Sequence, residues 1–397
     1  MPDPETDSNL KPSKPAVWND PQYRALFFQI VLILALGYFL ITIVDNTLAN
    51  MEARGISTGF AFLTEPSGFG ILMSLIEFDE SHTYGRTFVV GLLNTVLISF
   101  LGIFFATILG FIMGVARLSS NWLIARLATV YIETFRNIPL LLQIFFWYFA
   151  VLGALPSVRQ SMSLGMGIEF NNRGLYLPAP VPGEGFSMVV WLFILGIIGS
   201  IFMAKWAHKR QDETGRQFPV FLSSLGLIIG LPLVVFLILG MPLSWEYPEL
   251  RGFNFQGGIS MIPELLALLL ALTIYTGTFI AETVRAGINA VSHGQTEAAL
   301  SLGLKPAQNL RLIVIPQAMR VIIPPLTSQY LNLAKNSSLA TAIGYPDLVN
   351  VFMGTTLNQT GQAVEITAMT MAVYLTISLT ISMFMNWYNK KMALVER

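Results

Sequence analysis

Polar side chains recur inside one apolar stretch near the carboxyl end of the chain. Ser328, Asn332 and Lys335 follow one another at spacings of four and three, which places them on one face of a helix. Gln329 and Asn336 flank that stripe. Polar groups are costly inside a bilayer, so such a face either lines a path for a polar solute or pairs with its surroundings. We predict a translocation path here, while pairing with neighbouring helices, or an outward-reaching Lys335, fits the spacing equally well.

A second pattern lies just before that stretch, in EAALSLGLKPAQNLRLIVIPQAMR (297–320). Gly303 sits where a left-handed residue ends a helix, and Pro306 stands at the first position of another. We expect Pro316 to interrupt this second helix. The pattern predicts a compact helix-turn-helix, although a plain connecting loop or a helix on the membrane surface also fits it. The residues exposed for docking would be Glu297, Ala298 and Ala299.

Several kinds of chemistry find no support in the chain. It has no G-x-x-x-x-G-K-[ST] phosphate loop and no cysteine. Its three histidines, His82, His208 and His293, match no metal-ligand spacing. The 23 basic residues balance the 23 acidic ones, so nothing indicates nucleic acid. We therefore predict no catalytic site, no metal site and no cofactor bound by this chain.

The composition places the chain in a membrane. Of its 397 residues, 54% are hydrophobic and 12% are charged, and the mean hydropathy is +0.62. In soluble domains about a quarter of the residues are charged. The long apolar runs are continuous, which favours helices over a barrel. We predict an all-α membrane protein with about eight transmembrane helices, near 25–44, 88–116, 137–155, 187–204, 218–241, 262–284, 319–343 and 366–388.

The distribution of Lys and Arg predicts the orientation. With the N-terminus in the cytoplasm, 17 of the 23 basic residues fall inside, five fall outside, and Lys335 lies in a span. Both termini are therefore predicted to be cytoplasmic. The fourth and fifth spans form an even pair joined by the basic linker KWAHKRQDETGRQ, so they can be an inserted hairpin that leaves the remaining topology unchanged.

The second span has a face of small residues. Gly102, Ala106, Gly110 and Gly114 recur every four residues, which lets another helix approach closely. Packing within this chain and contact with a second membrane subunit both fit the pattern, and the first is the commoner use.

The 297–320 segment resembles the EAA loop of bacterial ABC importer permeases. The residues that carry the resemblance are Glu297, Ala298, Ala299, Gly303, Ile313 and Pro316, with Ile315 where the family usually has Leu. In that family the loop is a coupling helix that lies in a groove of the ATP-hydrolysing subunit. The resemblance thus implies that these residues couple this chain to an ATPase.

Four further segments are similar to the polar amino acid branch of that family: GLLNTVLIS (91–99), YIETFRNIPLLLQIFFWYF (131–149), GTFIAETVRAGI (277–288) and LAKNSSLATAIG (333–344). The first span and the 156–261 region go beyond the five-helix core of shorter relatives. This long form resembles one subunit of the general L-amino acid permease of Gram-negative bacteria. The implied fold is a type I ABC importer permease core with an extra N-terminal helix and an inserted helical hairpin.

Two acid–base pairs also fall in segments that share the resemblance. Glu282 with Arg285, and Glu133 with Arg136, have the i, i+3 spacing of helical ion pairs. Such pairs are more often structural, and the resemblance makes them candidates for gating contacts.

The resemblance implies a permease subunit of a binding-protein-dependent amino acid importer in the bacterial inner membrane. A periplasmic binding protein would deliver the substrate, which would cross by alternating access. The implied partners are a second permease, expected to be a different chain, and a dimer of separate ATPase subunits that use ATP and Mg. An ion-coupled secondary amino acid transporter is the alternative; it needs paired ionisable groups near the midplane, for which Lys335 alone is thin support.

These expectations divide the chain into five parts. The first is a Pro-rich polar tail, predicted to be disordered and cytoplasmic, at 1–24. The others are the first helix with an outer segment (25–87), the first part of the permease core (88–155), outer loops with the inserted hairpin (156–261), and the second part of the core (262–397), which contains the cytoplasmic coupling loop 285–318.

Overall fold

The computed structural model describes residues 21–53 and 58–392. In this part the α-helices are, in chain order, α1 (Pro21–Ala53), α2 (Tyr84–Arg117), α3 (Trp122–Arg136), α4 (Leu140–Phe145), α5 (Phe186–Thr214), α6 (Val220–Leu225), α7 (Leu231–Ile238), α8 (Pro263–Asn289), α9 (His293–Ser301), α10 (Pro306–Asn309), α11 (Ile315–Asn336), α12 (Leu357–Thr360) and α13 (Ala363–Met392). Turns of π-helix occupy 146–152, 226–230, 310–314 and 349–356. Residues 1–20 of the predicted tail lie outside the described part.

In the described part of the chain, seven helical units are long and apolar enough to cross a membrane, or eight if one bent pair counts as a span. This confirms the predicted membrane fold. More than half of the apolar window of α8 is buried, the largest share among these units. The core of the protein is therefore built around α8, with α2, α4 and α11 packed against it.

The small-residue face of α2 lies against α8 and α11 of the same chain. A Cβ atom on Gly110 would lie 2.5 Å from the Cβ of Ile280. On Gly114 it would lie 2.7 Å from the carbonyl oxygen of Ala281, and on Gly102 3.0 Å from a methyl of Leu333. Glycine thus lets the helix backbones approach to a distance that a side chain would prevent. Of the two uses that fit the pattern, packing within this chain and contact with a second subunit, the structure shows packing within this chain.

The third predicted span, 137–155, begins at a sharp bend between two helices. α3 ends before Pro139 and α4 begins after it, and the two parts are bent by 105°. Proline disfavours a helical conformation in the residue before it, here Ile138. The side-chain amide of Gln143 donates to the carbonyl oxygens of Phe135 (2.8 Å) and Ile138 (2.9 Å), which replaces backbone bonds lost at the bend.

The prediction that Pro316 interrupts the helix is wrong. The unit Pro306–Ile343 runs as one helical span of 38 residues, so neither Pro316 nor the pair Pro324 and Pro325 ends it. A π-helical turn precedes Pro316 and leaves it in the first turn of α11, where a missing N–H is tolerated. Around Pro324 and Pro325, burial of Ile322, Ile323 and Leu326 against the core holds the helix.

Short strands flank the helical hairpin formed by α5, α6 and α7, and they were not predicted. β1 (Met162–Gly165), β2 (Ile168–Asn171), β3 (Gly174–Leu177) and β8 (Ile259–Met261) form an antiparallel sheet in that order. β4 (Ala179–Pro182) pairs with β5 (Leu243–Glu246), and β6 (Glu249–Arg251) pairs with β7 (Asn254–Gln256). Because β8 leads directly into α8, the sheet ties the base of the hairpin to the core.

The outer end of α2 is fixed by buried hydrogen bonds. The side-chain amide of Asn94 donates to the carbonyl oxygen of Pro346 (2.8 Å), and the Tyr345 hydroxyl donates to the Asn94 carbonyl (3.1 Å). The Leu348 N–H donates to the Thr95 hydroxyl (3.0 Å). All five residues are buried, so the segment after α11 is held firmly against α2.

Candidate functional site

The polar stripe of α11 points away from the rest of the chain. Ser328, Asn332 and Lys335 are exposed, and Gln329 and Asn336 are half-buried. The helix turns its apolar face inward instead, with Ile322, Leu326 and Leu333 buried. Within the described residues, none of the five polar side chains makes a hydrogen bond or an ion pair. Pairing with neighbouring helices of this chain therefore does not account for the stripe.

Lys335 stands at the edge of a cleft of about 520 Å³. α11, the π-helical turn 349–356 and α13 supply its walls. The walls are mainly apolar, and Ser338, Tyr374 and Ser378 are also among the lining residues. The lining thus combines apolar surface with the charge of Lys335.

Asp347 lies behind that cleft, and the sequence patterns did not identify it as a candidate. It is fully buried between the two spans that α11 and α13 form. Its carboxylate accepts hydrogen bonds from the Asn350 N–H (2.8 Å) and from the hydroxyls of Thr341 and Tyr374 (3.4 Å each). Burial raises the pKa of Asp347 to about 7. A lone aspartate between two spans carries no pattern of its own, and its partner on α13, Tyr374, is 27 residues away, so no local spacing revealed it.

The predicted helix-turn-helix is present between α9 and α10. Gly303 adopts the left-handed conformation, with φ of +81°. Its N–H donates to the Leu300 carbonyl (2.9 Å) while the Leu304 N–H donates to the Ala299 carbonyl (3.2 Å). This pair of bonds is the Schellman ending of a helix. The turn is thus a defined structure and not a plain connecting loop.

The two arms of the turn are joined by side chains. The side-chain amide of Asn309 donates to the Thr296 hydroxyl (3.3 Å), and the amide of Gln317 donates to the Gln295 side-chain oxygen (3.3 Å). Because the second arm continues into α11, residues 293–316 of the predicted coupling loop 285–318, called the coupling loop from here on, form a rigid base for the span that carries the polar stripe.

The docking residues are only partly where the pattern predicts them. Glu297 and Ala298 are exposed, whereas Ala299 is 1% exposed because it packs beneath the second arm. The expectation that Ala299 would be exposed is therefore wrong. Leu302, at the tip of the turn, is 82% exposed and was missed, since a lone leucine in a helical pattern gives no signal of its exposure. Ile313 and Pro316 are half-buried.

Charged side chains meet near the C-terminal ends of α2, α3 and α8. The Arg285 guanidinium donates to Glu282 at 3.1 and 3.0 Å, as the spacing predicts. Arg117 of α2 pairs with Glu133 of α3 at 3.0 Å and also contacts the other Glu282 oxygen. One chain of charges, Arg285–Glu282–Arg117–Glu133, thus crosses three helices.

Arg136 does not pair with Glu133, contrary to the prediction. Its guanidinium lies over the ring of Phe279, 5.5 Å from the centroid, a cation–π arrangement that retains the charge without a carboxylate. Arg117 occupies the place that the spacing assigned to Arg136. It was missed because it comes from another helix, 16 residues earlier than Glu133.

Within residues 21–53 and 58–392, no group of three or more His, Cys, Asp or Glu side chains could hold a metal ion. The arrangement as a whole offers a polar helix face, a cleft, a charge network and a defined turn between two helices.

Comparison with known proteins agrees with this view. Residues 196–394 match the model of the family described as "Binding-protein-dependent transport system inner membrane component". The "General L-amino acid transport system permease protein AapQ" of Rhizobium johnstonii is 52% identical over 378 residues, covering 95% of this chain and 94% of that protein. The "Glutamate/glutamine/aspartate/asparagine transport system permease protein BztB" of Rhodobacter capsulatus is 43% identical over 409 residues, covering 95% and 96%.

Among solved structures, the chain is similar to one described as "Crystal structure of an amino acid ABC transporter with histidines". The two are 21% identical, with a TM-score of 0.45, over 78% of this chain and 95% of that one. The relatives of high identity span nearly all of this chain, and the family model covers half of it. The chain therefore belongs to the family of binding-protein-dependent transport system inner membrane components, and it is an ABC transporter permease.

Proposed function

We propose that this chain is one of two permease subunits of an ATP-driven amino acid importer of the bacterial inner membrane. The observation that carries the proposal is the polar face of α11. Ser328, Asn332 and Lys335 lie at membrane depth and point out of this chain without a partner in its described part. Because such groups are costly against lipid, they need either water or a second subunit beside them.

A second permease facing α11 would enclose that polar face and turn the cleft at Lys335 into part of a path between the subunits. AapQ and BztB are named as permeases for L-amino acids and for acidic amino acids and their amides, which supports an amino acid as the solute. An ammonium such as that of Lys335 suits the carboxylate that every amino acid carries. We expect the second permease to be a different chain.

The energy would come from a separate pair of ATPase subunits that use ATP and Mg. The coupling loop 293–316 suits this role because it is rigid, presents Ala298 and Leu302 outward, and continues directly into α11. Displacement of α9 by the ATPase would shift α8 and α11 together and alternate the access of the path, a rigid-body transition. A periplasmic binding protein would deliver the amino acid, with both termini of this chain in the cytoplasm.

The turn at Gly303 allows a test of this coupling. A Cβ on Gly303 would meet no atom within 4 Å, so a substitution there strains only the backbone. Val is unfavourable at positive φ by roughly 1–2 kcal/mol, while Asn tolerates it. We expect Gly303→Val to lose most of the ATPase in co-purification and to transport poorly, whereas Gly303→Asn stays near wild type. Normal ATPase binding and uptake in Gly303→Val would refute the coupling role.

A further inference from the structure

α2 and α8 behave as one piece at their inner ends. Gly110 and Gly114 of α2 fit against Ile280 and Ala281 of α8 so closely that no side chain has room between them. Packed interfaces of this kind resist sliding because every displacement creates a clash or a void. α8 ends only three residues before α9 begins, so a movement of the coupling loop reaches the α2–α8 pair directly.

α3 is fastened to that pair by different means. Midway along α3, the Tyr131 hydroxyl donates to the Ile274 carbonyl of α8 at 2.7 Å. Two residues further along α3, Arg117 contacts Glu133 with one nitrogen and Glu282 of α8 with the other. The described part of the chain shows no other side chain that contacts both of these carboxylates.

Burial decides which of the two Arg117 contacts, the one with Glu282 or the one with Glu133, is the stronger. The side chains of Arg117 and Glu282 are 20% and 18% exposed, whereas Glu133 is 52% exposed. An exposed pair contributes little by itself. The better buried half fixes the guanidinium in place, and the fixed guanidinium then holds Glu133. Glu282 keeps Arg285 as a partner when Arg117 is removed, so the fold does not depend on Arg117.

We propose that Arg117 is a positioning residue that joins α3 to the α2–α8 pair, so that the three helices move as one body when the coupling loop is displaced. The inference rests on the proposed function and adds a residue to it. Without Arg117, α8 and α2 would still follow the coupling loop, but α3 would follow them less closely. ATP would then be hydrolysed with less solute moved.

The test compares Arg117→Met with Arg117→Lys in the complete complex. Both variants would be reconstituted in proteoliposomes, with uptake of mixed radiolabelled L-amino acids and ATP hydrolysis measured together. We expect Arg117→Met to raise the ATP consumed per amino acid roughly tenfold, a typical size for a lost coupling interaction. Arg117→Lys should recover part of the loss, because one ammonium pairs with a carboxylate but does not bridge two as a planar guanidinium does.

Arg126→Met is the matched control, since Arg126 is exposed on the same α3 and should leave the ratio unchanged. An unchanged ratio in Arg117→Met, or equal ratios in the Met and Lys variants, would overturn the inference. So would a leak of amino acid without ATP in Arg117→Met, because a leak would mark the network as a closed gate. If the wild-type complex showed no ATP-driven uptake at all, the proposed function itself would fail instead.

Discussion

Lys335 is the residue on which the transport path depends most directly. It places a charge on the outward face of α11, at the edge of the cleft, with no partner in the described part of the chain. The i, i+4, i+7 spacing was enough to place it on a face with Ser328 and Asn332, because helix geometry is local. Whether that face points inward or outward depends on other helices, so no spacing within α11 decides it.

Replacing Lys335 with Met retains the length of the side chain and removes the charge. We expect uptake to fall about tenfold or more, as for a lost hydrogen bond to a charged group, while the subunits still assemble. Uptake and co-purification would be measured together in the intact complex. Lys209→Met, on the exposed inner end of α5, is the control; equal uptake in Lys335→Met and wild type would remove Lys335 from the path.

The burial of Asp347 predicts how the stability of the protein depends on pH. Its pKa is raised from 3.8 to about 7 by burial, so the folded protein favours the protonated carboxyl. The resulting stability is complete below pH 3.8 and is lost as the pH rises to about 7. Asp347→Asn removes the ionisable carboxyl and with it this loss of stability. The side-chain oxygen of Asn still accepts hydrogen bonds from the Asn350 N–H and the Thr341 hydroxyl. The variant should therefore gain more in Tm over wild type at pH 8 than at pH 5.

Thermal unfolding of the purified protein at the two pH values measures this difference. Asp79, which is exposed in the outer segment and whose pKa is lowered by its hydrogen bonds with Ser81, provides the control. Asp79→Asn should show no such gain at pH 8. An advantage of Asp347→Asn that is the same at both pH values would contradict the buried, protonated carboxyl.

At the scale of the element, the coupling loop was the best predicted part. Its turn follows from the conformational freedom of Gly303 and the fixed angle of Pro306, which are properties of single residues. The same rules account for the bend at Pro139 and failed at Pro316. The difference is tertiary: Val314 and Ala318 on either side of Pro316 are buried in the core, and that packing is invisible in a local pattern.

The packing of α2 can be tested by the same substitution, Gly to Ala, at two of its glycines. In Gly110→Ala the new methyl meets the Cβ of Ile280 and the Gly277 backbone, neither of which moves easily. In Gly102→Ala it meets only the flexible end of Leu333. We expect Gly110→Ala to destabilise the protein by about 1–3 kcal/mol through overpacking, and Gly102→Ala to have a smaller effect. Equal Tm values for the two variants would contradict the close approach of α2 and α8.

The whole molecule combines predicted and unpredicted parts. Apolar length was enough to predict the membrane class and the approximate number of spans, because the thickness of the bilayer sets the length of a spanning helix. The small sheets at β1 to β8 were not foreseen, since strands of three or four residues carry too little alternation to be recognised. They join the α5–α7 hairpin to the base of α8, and this places the hairpin beside the core without making it part of the coupling route.

The central claim is that the chain is moved by the nucleotide cycle of another subunit. It is tested most directly by uptake of radiolabelled L-amino acids into proteoliposomes that contain the full complex, with an uncoupler present and ATP supplied on the side of the coupling loop. We predict uptake that requires ATP, survives the uncoupler, and is absent when this chain is reconstituted alone. Uptake by this chain alone, driven by a proton gradient and abolished by the uncoupler, would contradict the account.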